Sequence, residues 1–316
     1  MTLVSALTTA VLPILSISVV GYAFGLRFDV DVDPLNAVTL YVLLPALVFH
    51  SLAITTLGGA TVVRIGVAVV AFVAAMVLLS EAVGRVAGVE EPYLSALVLT
   101  ATFPNSGNFG IPLSDFAFGA AGRTAAVVFL TVQNVLVYVV GVYIASRGAG
   151  HEGASALREV FRLPLIYAAV AALVARWAGV LPPAGSAAMR TVGLVGDASI
   201  PLMLLVLGIQ LAGIDVRSAS RTVVPSTLKL IVAPAVGAAI VLALGFSDAT
   251  AARVVVLETA TPAAVLPLML TIEYSDPDAD GLTAPEYVSA VIFVTTLLSV
   301  LTLTVLIGLL RSGMLV

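Results

Sequence analysis

Among its 316 residues the chain has no cysteine, so disulfides, thiol nucleophiles and zinc–thiolate sites are excluded. That absence identifies no compartment. Charge is also scarce. Charged residues make up 10% of the chain and hydrophobic ones 60%, against roughly 25% and 45–50% in ordinary soluble domains. Histidine is confined to His50 and His151, which leaves no metal-ligand cluster. There is no nucleophile elbow and no glycine-rich nucleotide loop. An intramembrane enzyme would need paired catalytic groups, which only the carboxylates of Glu81, Asp197 and Glu258 could supply. No enzyme and no cofactor are expected. The net charge of −4 says nothing for or against a polyanion, and no nucleic acid is expected as a partner.

What the chain does have is apolar sequence in blocks of about 20 residues, the length that crosses roughly 30 Å of hydrocarbon as a helix. Hydropathy places spans at 4–26, 34–57, 61–84, 93–118 and 122–146, then, after a more polar segment, at 161–179, 186–213, 224–246, 250–273 and 284–310. The expected fold is an all-α polytopic membrane protein of ten helices. The start, MTLVSALTTAVLPIL, has no basic region, and a first span is expected there rather than a cleaved signal.

The two halves carry matching proline punctuation. Pro13 opens span 1 as Pro164 opens span 6, Pro45 interrupts span 2 as Pro201 interrupts span 7, and Pro104 interrupts span 4 as Pro262 interrupts span 9. Residues 1–147 and 161–316 then form two five-helix repeats joined by a short loop at 148–160. An odd number of spans per repeat turns the second copy upside down, the inverted-repeat plan of many secondary transporters. Charge bias sets orientation weakly. Loops on the side away from the termini hold Arg27, Arg85, Arg147, Arg158, Arg162, Arg217, Arg221 and Lys229, eight cations. Six lie on the other side: Arg64, Arg123, Arg176, Arg190, Arg253 and Arg311. The positive-inside rule puts both termini outside.

The most informative segment is Thr102 to Pro112, TFPNSGNFGIP, a polar helix break inside a membrane-spanning block. Broken backbone survives at that depth only where it faces protein or a water-filled cavity. Asn105, Ser106 and Asn108 therefore mark a candidate binding site: the half-helix after the break aims unpaired N–H groups at an anion, and the amides add donors. The structural alternative is that these side chains only serve the broken backbone. Pro262 makes the matching break, with Thr261 and Ala263 to Leu266 beside it; Thr261, Pro262, Ala263 and Val265 are expected to meet the uncharged part of a substrate. Pro104 and Pro262 mark the helix crossover.

PNSGNFGIPL followed by FGAAGRTAAVVFLTVQNVLVYVVGVY, then ETATPAAVLPLMLTIEY, LNAVTLYVLLPALVFHSLA and LKLIVAP, resembles the auxin efflux carrier family, which includes plant auxin exporters and bacterial organic-acid permeases. The resemblance implies a fold shared with sodium/proton antiporters and bile-acid transporters. Spans 1, 2, 6 and 7 would form a scaffold, dimeric in relatives, and spans 3–5 and 8–10 a transport domain sliding as an elevator. Residues 147–160 stand in for the long central loop of plant members.

Gln133 matches a family glutamine near the substrate and is expected at the site, with its neighbour Asn134 in a helix contact or facing the crossover. Glu258 stands where plant members carry glutamine. A carboxyl there is either a proton carrier, an oxygen ligand for sodium, or a structural group paired with Arg253 or bonded to Asn or Thr. Asp197 reads as a helix cap, Glu81 and Arg85 as an i,i+4 pair, Lys229 as a cation that snorkels to the interface, and His50 as packing. Three functions stay open: a secondary transporter of small carboxylates, a sodium- or proton-coupled carrier using Glu258, and a ligand sensor that does not transport.

Overall fold

The computed structural model describes residues 7–148, 163–213, 219–274 and 282–315. The loop at 149–160, His151, Arg158, Arg162 and Arg217 lie outside the described residues. Among the described residues eleven apolar helical segments follow one another: α1 (Leu7–Arg27), α2 (Asp33–Ala53), α3 (Gly59–Val86), α4 (Tyr93–Thr102), α5 (Ser106–Ala145), α6 (Pro164–Trp177), α7 (Ala187–Ala212), α8 (Val223–Leu244), α9 (Ala249–Thr259), α10 (Leu266–Tyr274) and α11 (Ala284–Ser312). Seven of them, α1, α2, α3, α5, α7, α8 and α11, are each long and apolar enough to cross a bilayer. No β-strand occurs among the described residues, because in hydrocarbon each helix satisfies its own backbone. The chain is an all-helical, multi-pass membrane protein.

Two packing groups are visible. Helices α1, α2, α6 and α7 contact chiefly one another, with α1 on α7 and α6 and α7 on α2; the remaining helices contact chiefly each other. Lipid offers no hydrophobic drive for helix association, so close van der Waals fit carries it, and small residues permit that fit. Gly21 of α1 lies against the backbone of Leu205, and Gly208 of α7 against the backbone of Ser18; a Cβ at either would collide with main chain. Exposed apolar side chains such as Val19, Val63, Leu78 and Leu301 face outward, as expected of a molecule solvated by lipid.

The interruption expected at Pro45 does not occur, and the one expected at Pro201 is a single residue. Helix α2 runs through Pro45 unbroken and α1 through Pro13, because a π-helical turn precedes each proline, at Thr39–Leu43 and Leu7–Val11. The wider turn removes the i−4 carbonyl from the proline ring, where an α-helix would clash. Helix α7 passes Pro201 with only a one-residue turn at Ala198, whose φ of −65° and ψ of −18° stay in the helical region. Helix α5 does have a joint that its apolar sequence conceals: Gly119 sits at φ 68°, ψ −160°, a backbone open to glycine. Arg311 of α11 caps the stretch before that joint, donating to the carbonyls of Phe116 and Ala117 and to Thr9 Oγ1.

Candidate functional site

The breaks after α4 and before α10 meet. Phe103 ends α4 in an extended conformation, and Pro104 and Ala263 form an antiparallel bridge. Asn105 N donates to the Pro262 carbonyl at 2.8 Å, and Ala264 N to the Phe103 carbonyl at 3.0 Å. The two unwound segments thus satisfy each other, as buried backbone must. Side chains serve what remains. Gln133 Nε2 donates to the Pro104 carbonyl at 2.8 Å while its Oε1 accepts from Ser106 Oγ at 2.9 Å. Ala263 N donates to Thr295 Oγ1 at 3.1 Å.

Beside this junction lies a cavity of about 290 Å³. Six amide side chains line it: Asn36 of α2, Asn105 and Asn108 at the break, Gln133 and Asn134 of α5, and Gln210 of α7. Ser106, Met203, Val265 and Met269 complete much of the wall. No charged side chain lines the cavity among the described residues. Three π-helical turns border it, through Thr39 and Leu40, through Ser106 to Asn108, and through Val137. Such turns widen a helix and redirect its side chains, and they recur at functional sites.

Asn105 is 5% exposed and its Nδ2 has no hydrogen-bond partner among the described residues. The Phe109 and Gly110 amides donate to the Asn105 carbonyl and the Ser106 amide to that of Pro104; those of Gly107 and Asn108 have no backbone acceptor outside the helix. Both residues line the cavity. A half-helix end and two asparagine side chains therefore border one uncharged space. Thr261, Pro262 and Ala263 are buried in the junction but do not line the cavity; Ala264, Val265 and Leu266 do. The reason is that Pro262 and Ala263 spend their backbone on the pairing, and Thr261 Oγ1 donates to the Glu258 carbonyl at 2.8 Å.

Glu258 is fully buried and does not line the cavity. Ser114 Oγ donates to its Oε1 at 2.7 Å, and its Oε2 has no hydrogen-bond partner among the described residues. The carboxyl lies on the first turn of α5: a Cβ on Gly110 would stand 2.7 Å from the Glu258 carboxyl carbon. Lys229 does not snorkel. It is fully buried, its Nζ donates to the Thr259 carbonyl at 3.1 Å and it stands 5.8 Å from the centre of the Phe72 ring. Thr259 is the last residue of α9, so the ammonium sits at the electronegative end of one broken helix as Glu258 sits at the electropositive turn of the other.

Asp197 is not a helix cap. Arg123 Nη1 reaches its Oδ1 at 2.5 Å, and Arg123 Nε approaches Asp115 Oδ1 at 3.5 Å, joining α5 to α7. Glu81 pairs with Arg85 at 2.7 Å and with Arg147 at 2.6 Å. His50 lies against Gly193. Sequence reading overlooked Gln210, Thr39, Met203, Met269 and Ser114, and passed over Asn36 as a site residue. An amide within the apolar run of span 7 was the available signal for Gln210.

Comparison with known proteins gives a consistent result. A family model described as membrane transport protein matches residues 6–307. An uncharacterized transporter of Methanothermobacter thermautotrophicus is 28% identical over 301 residues, covering 94% of this chain and 96% of the relative. Another, of Methanocaldococcus jannaschii, is 21% identical over 300 residues, covering 92% and 94%.

Proposed function

Because this chain belongs to the membrane transport protein family, the auxin efflux carrier-like family, we propose that it is a secondary transporter of small organic anions. The family and these relatives are transporters, not enzymes. One observation carries the substrate class: an uncharged, amide-lined cavity bordered by a half-helix turn, with Asn105 and Asn108 in its wall. Fixed donors without a counter-ion favour a carboxylate, since a helix end attracts anions, while a cation would find no negative group in the wall.

In this reading the membrane is crossed ten times. Helix α4 with α5 up to Gly119 makes the fourth crossing, the rest of α5 the fifth, and α9 with α10 the ninth. The repeats are inverted and both termini lie outside. The α1, α2, α6, α7 group is the scaffold, through which two copies pair, and the other group carries the substrate as an elevator. The cavity lies between the groups, with Asn36, Met203 and Gln210 on one side and Asn105, Gln133 and Val265 on the other, an arrangement that supports alternating access. Thermal-shift screening of the purified protein against weak acids tests this: carboxylates should raise the melting temperature in wild type and not in Asn105→Ala, and stabilisation by amines alone would overturn it.

A second reading, coupling to a proton or sodium, is favoured by Glu258. Its carboxyl and the bound anion would share one half-helix turn, so two negative charges would oppose each other across a wall of low dielectric. Neutralising Glu258 on anion binding removes that opposition.

A further inference from the structure

A second cavity, of about 320 Å³, lies between the two packing groups and shares no lining residue with the amide-lined one. Ile14 of α1 and Leu207 and Leu211 of α7 line it from one group, Phe293 and Val300 of α11 and Phe109 of α5 from the other. Helix α11 meets α1 chiefly at the latter's first turn, Leu7–Val11, and the space begins just beyond, at Ile14. No charged side chain lines it among the described residues. Three lining residues carry hydroxyls, but that of Ser18 is buried away from the space and that of Thr296 donates to the Ile292 carbonyl at 2.7 Å. Only Tyr22 is left to serve a water, which needs roughly two to four polar partners. The mouth is apolar too. Val19 of α1 and Leu297 of α11 line the cavity and are exposed. Both stand in the middle turns of helices that cross the bilayer, beside the lipid-facing Val20 and Leu301. The cavity therefore opens at the depth of hydrocarbon.

We propose that the acyl chain of a bilayer phospholipid occupies this cavity, entering between Val19 and Leu297 and reaching Phe109. The surrounding solvent decides the occupant. Hydrocarbon stands at the mouth, and an apolar wall gains dispersion contacts from a chain that fills the space, contacts that a void forfeits. A flexible chain also suits the two walls. Helices α1 and α7 are held close at Gly21 and Gly208 and form one wall as a unit, while α11 belongs to the other packing group. Displacement of one group against the other changes the shape of the space, and a chain of rotatable methylenes follows that change where a fixed side chain would not. Phe109 belongs to the π turn that also carries Gly107 and Asn108 of the amide-lined cavity. The acyl chain thus bears on the same half-helix turn as the candidate substrate site. None of this depends on what the amide-lined cavity binds.

Tryptophan quenching in proteoliposomes of phosphatidylcholine brominated in mid-chain tests this. The sequence has a single tryptophan, Trp177, which does not line the cavity, so Trp177→Phe gives a background without tryptophan. Three reporters are then compared: Phe109→Trp in the cavity wall, Leu301→Trp on the lipid-facing surface and Phe129→Trp in the closed core. Phe109 is itself buried, so a bromine meets it only on a chain inside the cavity. Brominated lipid should quench Phe109→Trp to the same extent as Leu301→Trp and well beyond Phe129→Trp. Quenching at Phe109→Trp no greater than at Phe129→Trp overturns the proposal. So does quenching there by aqueous acrylamide in place of the brominated lipid, which would make the space a water-filled one. Should Phe109→Trp not fold, Phe293→Trp reports from the opposite end of the same lining, and the same two results overturn the proposal equally.

Discussion

Glu258 and Lys229 are each placed at the end of a broken helix, and the sequence shows their presence but not their direction. Hydropathy registers Lys229 as a cation among apolar residues, which fits an interfacial position as well as an interior one; the rotation of α8, set by its π turn, decides for the interior. Ser114 was illegible as the partner of Glu258 because 144 residues separate them. Asn105, Ser106 and Asn108 were legible, since a polar break in a membrane span persists only against protein or a water-filled cavity. A prediction follows for Glu258. If anion binding takes up a proton there, affinity rises as pH falls, because the bound state holds more protons than the free state. Glu258→Gln should bind the anion with no pH dependence, measured by calorimetry between pH 5 and 8 with and without sodium. Persistence of the dependence in the glutamine variant would place the titrating group elsewhere.

Among elements, the recurring device is a π turn followed at the second residue by proline, at Pro13, Pro45, Pro112 and Pro234. Sequence reading took Pro45, Pro104, Pro201 and Pro262 as interruptions, and only at Pro104, where Asn, Ser and Gly accompany it, and at Pro262, whose segment pairs with it, does the helix unwind. At Pro13, Pro45 and Pro234 the extra residue of the π turn absorbs the missing N–H and the helix continues. Pro45→Ala should let Thr39–Leu43 regularise, turning Asn36, Thr39 and Leu40 relative to the cavity. Carboxylate affinity should then fall while the melting temperature holds or rises; unchanged affinity would show that this face of α2 is not needed. Packing offers a sharper case. Gly208→Leu places a side chain into the backbone of α1, and overpacking of this kind costs about 1–3 kcal/mol or more. Thermal melting in detergent should show a clear loss, and wild-type melting would contradict the backbone contact.

At the scale of the molecule, two packing groups meet across an amide-lined cavity, and the ion pair of Arg123 with Asp197 links them. Asp197 has 57% of its side chain exposed, so the pair is worth about 0–1 kcal/mol and can be given up in a sliding motion. The all-helical membrane fold was legible from composition alone, and the meeting of residues 102–112 with 261–266 from two proline-centred breaks. The site's opposite wall was not, because Asn36, Met203 and Gln210 come from helices whose facing is set by packing. The central claim is that a carboxylate binds at Asn105 and is carried across. Uptake of a labelled monocarboxylate into proteoliposomes measures it directly. Wild type should show saturable flux, and Asn105→Ala, folded and reconstituted to the same level, should lose about five- to a hundredfold at limiting substrate, the scale for a lost bond to a charged group. Equal flux by the two proteins, or no saturable carboxylate flux in wild type, would contradict the account.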